Sequence, residues 1–96
     1  MNEGSHDMSL DCTGTVLAVA GVRRRKVAVL NAYTGHVILF PQGPDNADVD
    51  AIAFSPTESV LAVGWGKELL LYRGPHYRAP YMREVIRFTI QKTNRR

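Results

Sequence analysis

The sequence predicts an all-β protein built from repeats, and three observations lead there. Residues 16–19 and 60–63 are the same tetrapeptide, Val-Leu-Ala-Val, 44 positions apart. Apolar runs of four to six residues, rich in Val, Ile, Leu and aromatics, alternate with turn chemistry through the middle of the chain. Pro56 interrupts residues 51–63, the one stretch long enough to suggest a helix, and so favours a turn there.

Taken in order, strands are expected at residues 16–20, 26–30, 36–40, 51–54, 59–63, 68–72 and 85–90. The turns between them fall at 12–14, 21–25, 33–35, 41–46, 55–57 and 65–66, each carrying Gly, Pro, Asn, Asp, Ser or a charge cluster. The Val-Leu-Ala-Val runs do not alternate cleanly, which suits strands covered on both faces. With the 44-residue offset, Met8-Ser9-Leu10-Asp11 matches Ile52-Ala53-Phe54-Ser55. After a two-residue shortening, Val27-Ala28-Val29-Leu30 matches Leu69-Leu70-Leu71-Tyr72. A third beginning is visible where residues 84–89 read like residues 50–55. A period near 44 is that of a four-stranded propeller blade, a unit that covers its faces only by stacking on neighbours.

Ala51-Ile52-Ala53-Phe54-Ser55-Pro56 followed by Val60-Leu61-Ala62-Val63-Gly64 resembles the opening half of a WD40 repeat. The segment from Lys26 to Gly35 resembles its second half. The resemblance covers roughly residues 8–73 and implies about two four-stranded antiparallel WD40-type blades of an incomplete β-propeller. Leu30-Asn31 and Tyr72-Arg73 stand where the family has its Trp-Asp pair, and no Gly-His pair precedes either repeat. The expected division is a polar segment at 1–7, a first blade at 8–47, a partial second blade at 48–74, and a basic tail at 75–96 beginning a third blade. A shorter string, Leu61 to Trp65, is similar to the amino-terminal propeller of intraflagellar-transport complex A subunits, which implies a ciliary scaffold.

Ninety-six residues bury a modest share of their surface, so something is expected to complete the fold. The lone Cys12 offers no disulfide, and a reducing, cytoplasmic setting is expected. The polar, acidic start lacks the apolar core of a signal peptide, and runs such as residues 37–40 and 69–72 are too short to span a bilayer. Self-association, docking onto another subunit, or membership of a longer propeller is therefore the expectation, without membrane insertion. The net charge of +3 hides an asymmetry: residues 1–72 sum to −3 and the remainder to +6.

Catalytic or metal chemistry needs convergent polar groups, and the inventory is thin. His6, His36 and His76 lie 30 and 40 residues apart without partners at ligand spacing, and Cys12 is alone. Asp48 and Asp50 share a face in extended chain, but without a third ligand they read as an acidic loop entering a strand. Gly64-Trp65-Gly66-Lys67 lacks the glycine spacing, the Ser/Thr and the helix of a phosphate loop, and reads as a hairpin turn. No enzyme, metal or cofactor is expected.

Two binding surfaces remain. In WD40 propellers the loops joining second to third strands share a rim with those leading into the next blade. By that resemblance the rim holds Arg23, Arg24, Arg25, Trp65 and Lys67 beside the 41–48 loop, which implies a protein-binding patch. The second surface is the tail, where Arg73, Tyr77, Arg78, Tyr81 and Arg83 interleave aromatic and cationic groups able to stack bases and neutralise phosphates. A scaffold of protein–protein contacts and a small RNA-associated protein are the two functional readings.

Overall fold

The computed structural model describes residues 7–20, 26–45 and 47–85. Among these residues eight strands form two antiparallel sheets, each taken up in chain order. The first sheet is β1 (Asp7–Leu10), β2 (Val16–Ala20), β3 (Val27–Asn31) and β4 (Val37–Leu39). The second is β5 (Val49–Phe54), β6 (Val60–Trp65), β7 (Glu68–Arg73) and β8 (Pro80–Val85). Among the described residues no helix is long and apolar enough to cross a membrane.

The repeat in sequence is a repeat in register. Leu17 pairs with Leu10 and Leu30, and its match Leu61 pairs with Phe54 and Tyr72. Both sheets also slip register at matching places, between Val29 and Leu30 and between Leu71 and Tyr72. Each bulge turns the outermost strand against its neighbour, as an extra residue on one strand does.

The turns repeat as well. Asp11 and Ser55 each open a turn by sending their N–H to a strand carbonyl, of Val16 (2.9 Å) and Val60 (2.8 Å). The Asp11 carboxylate then accepts the Thr13 hydroxyl (2.9 Å) and the N–H groups of Thr15 and Val16 (3.1 Å each). Ser55 accepts the N–H groups of Thr57 (3.2 Å) and Glu58 (3.1 Å) in the same manner. After the third strands, Gly35 donates to Asn31 (2.8 Å) and Tyr77 to Arg73 (3.1 Å), both with positive φ, 77° and 49°.

The two sheets stack face to face. Ala18, Ala20, Val27 and Val29 of the first meet Leu61, Val63, Leu70 and Tyr72 of the second, all buried. Ala18 and Ala20 on one side leave room for Leu61 and Tyr72 on the other, so the two faces close into one core. At its inner edge the Phe54 N–H donates to the Ser9 hydroxyl (3.0 Å).

Two expectations change. The strand at 8–10, seen in sequence only as a repeat match, is β1. The stretch beginning at 75, read as a tail and a new blade, supplies β8, which completes the second sheet on β7. Pro80 sits at the first position of this outer strand, where a missing N–H costs no ladder bond. The strand expected at 85–90 falls mainly outside the described residues, as do Arg23, Arg24, Arg25, His6 and the cations beyond Arg83.

Candidate functional site

The segment linking the two sheets, residues 40–48, runs along the end of the molecule that also carries the β6–β7 turn. Its backbone is fastened to the second sheet at Gln42. The Gln42 N–H donates to the Arg78 carbonyl (3.2 Å), and the Gln42 carbonyl accepts the Tyr72 hydroxyl (2.5 Å). That hydroxyl in turn accepts the Trp65 indole N–H (3.2 Å). Each polar atom in this chain is satisfied, which is what allows Trp65 and Tyr72 to be buried. Burial pushes the Tyr72 phenol up to about 12, against the lowering effects of the Trp65 hydrogen bond and the Arg83 charge.

Gly43 lies flat on the Trp65 ring. A Cβ there would stand 2.5–2.7 Å from three ring carbons, so the segment approaches this closely only because residue 43 has no side chain. The outcome is a groove of about 290 Å³ whose walls include Lys26, Phe40, Pro41, Pro44 and Asp45, with Trp65 beneath. Phe40 is 56% exposed, and the Lys26 ammonium lies 5.3 Å from its ring centre, close enough for a cation–π contact.

Of the rim residues expected from the sequence, Trp65 and Lys67 lie at this end of the molecule, and Arg23, Arg24 and Arg25 lie outside the described residues. The linking segment, Trp65 and the start of β3 come together, with Lys67 exposed in the β6–β7 turn. Trp65 itself is 2% exposed, so its ring supports the rim and does not offer a face to a partner. The reason is the Tyr72 hydroxyl, which gives the indole N–H a buried acceptor. Sequence reasoning marked Lys26 only as the end of a basic run and missed Phe40 and Tyr72 as parts of this site. Only the Tyr72 position, standing where the family has tryptophan, carried a signal.

The tail residues are placed differently from a stacking platform. Tyr77 is 3% exposed, edge-on to Phe54 with ring centres 5.7 Å apart, and a Cβ on Gly74 would strike its ring. Burial raises the Tyr77 phenol above its usual range, opposed by a hydrogen bond with Ser59 and assisted by the Asp11 and Cys12 charges. Arg73 covers the Tyr81 ring at 4.5 Å, and Arg83 pairs with Glu68 at 2.6 Å. Arg78 is exposed. A ring in the core cannot stack on a base, so Tyr77 leaves the nucleic-acid set.

Among the described residues no three His, Cys, Asp or Glu side chains gather where they could hold a metal ion. Asp48 precedes β5 and Asp50 lies in it, beside a register shift between Val49 and Ala51 that breaks their simple alternation.

No family model and no curated protein matches this chain. Among solved structures it is similar to the β-propeller domain of Cps50 (Swd1) from Myceliophteria thermophila, with a TM-score of 0.63 and 16% identity. The match covers 77% of this chain and 24% of that one, so the chain spans about a quarter of its length. At this identity the likeness is one of fold: two four-stranded antiparallel sheets that resemble propeller blades.

Proposed function

We propose that this chain is a non-catalytic protein-interaction module of WD40 type whose contact surface is the rim around Phe40. The groove carries the reading, because an exposed aromatic ring stands on a segment fastened by the Trp65–Tyr72–Gln42 chain, with the Lys26 cation beside it just before β3. A rigid aromatic anchor loses little entropy on binding, and charged neighbours at its edge orient the partner. Arg23, Arg24 and Arg25 precede Lys26 directly in sequence, and Lys67 occupies the neighbouring turn. Together they favour an acidic segment of a partner protein. The narrower reading, a ciliary transport scaffold, rests on Leu61 to Trp65. In β6 the buried side chains of that string pack the joint between sheets, which accounts for it without a pathway.

A photo-crosslinking residue placed at Phe40 tests the rim against one at Thr57, in the β5–β6 turn at the opposite end. Protein adducts are expected at position 40, and they should disappear when Arg23, Arg24, Arg25 and Lys67 are changed to Glu. Equal adducts from both positions would remove the reading.

A further inference from the structure

We propose that copies of this chain stack head to tail, the outward face of the first sheet in one copy closing on the outward face of the second sheet in the next. The argument comes from the joint already present. Its small half, Ala18, Ala20, Val27 and Val29, has as repeat twins Ala62, Gly64, Leu69 and Leu71. Those twins lie on the outward face of the second sheet, at a shallow apolar trough of about 310 Å³ bordered by Ala51, Ala53 and Leu69. Its bulky half, Leu61, Val63, Leu70 and Tyr72, has as twins Leu17, Val19, Ala28 and Leu30. Those lie on the outward face of the first sheet, flanked by Met8, Leu10 and Val37, which are 60%, 54% and 50% exposed.

Each open face is therefore the twin of one half of the closed joint. Leu17 and Val19 offer bulk to Ala62 and Gly64 in the same sense as in the joint, while along the third strands the sense reverses, Leu69 and Leu71 being the bulky side and Ala28 the small one. Such an interface is heterologous: it joins unlike surfaces, and repeated addition either closes into a ring or runs on. Propellers close with roughly four to eight blades, so two sheets per copy close with about two to four copies. One contact does not carry over. Ala53 stands where the joint has Ser9, so the N–H of Leu10 in the next copy meets no hydroxyl there. These faces lie apart from the rim, and the inference does not rest on the rim's role.

Sedimentation of the full chain tests this. The wild type should form a discrete species of about two to four chain masses, while Leu10→Glu and Ala53→Glu, one on each open face, should each be monomeric. An equimolar mixture of the two variants should give a dimer and nothing larger, because each retains one intact face. Ala53→Ser should shift association to concentrations about 2- to 10-fold lower by restoring one hydrogen bond. A monomeric wild type overturns the proposal, and so does either Glu variant associating like wild type, or a mixture that stays monomeric. If circular dichroism shows a Glu variant unfolded, Val37→Glu and Met82→Glu replace the pair, both at side chains already about half exposed. Adducts at Phe40 from a monomer would leave the interaction reading standing.

Discussion

Tyr72 joins three parts of the molecule through one oxygen, which accepts from Trp65 and donates to Gln42. Tyr72→Phe leaves a buried indole N–H and a carbonyl without their partner, and should lower unfolding free energy by about 1–3 kcal/mol in urea melts. The same oxygen sets an alkaline limit. An unfolded tyrosine loses its proton near 10.0 and this one near 12, so above the lower value the unfolded chain holds fewer protons. Stability from this group is level below pH 10 and falls as pH rises through about 12, and the fall should be shallower in Tyr72→Phe. Gly43→Ala should cost about 1–3 kcal/mol, since its methyl group enters space held by the Trp65 ring.

Asp11 and Ser55 hold equivalent turns with different chemistry, and acid distinguishes them. Burial pushes the Asp11 carboxyl up, but bonds from the Val16 N–H, the Thr13 hydroxyl and the Thr15 and Gly14 N–H groups outweigh it, so it ionises below its usual value. Its contribution is present above the unfolded value of 3.8 and is lost as pH falls through the lower folded value. Acid unfolding of Asp11→Asn should therefore show a weaker pH dependence than wild type, while Ser55→Ala leaves that dependence intact. The inner strands β2, β3, β6 and β7 were legible because they are apolar on both faces, the one closed in the joint and the one left open. The outer strand β8 was not, since Tyr81, Met82, Arg83 and Glu84 face solvent and need no pattern. Cys12, Thr13 and Gly14 announced a turn; that Asp11 would hold it required seeing which N–H groups converge.

At the scale of the whole molecule, the repeat in sequence does not mean equal surroundings. Leu61→Ala, inside the joint, should cost about 2–5 kcal/mol in a urea melt. Leu17→Ala, its twin on an open face, should cost less and should instead weaken self-association. The rim was legible where topology alone sets it, at the linking segment and the β6–β7 turn. It was not legible where a hydrogen bond sets it, since nothing in the string Gly64 to Lys67 says that the indole turns inward. That inward turn has an optical consequence. Trp65 is the only tryptophan of the chain, and it lies where the segment linking the sheets is fastened. Its fluorescence is a built-in gauge of that fastening, blue-shifted and shielded from quenchers while residues 41–45 lie across it. Release of that segment would change the emission before either sheet lost its circular dichroism.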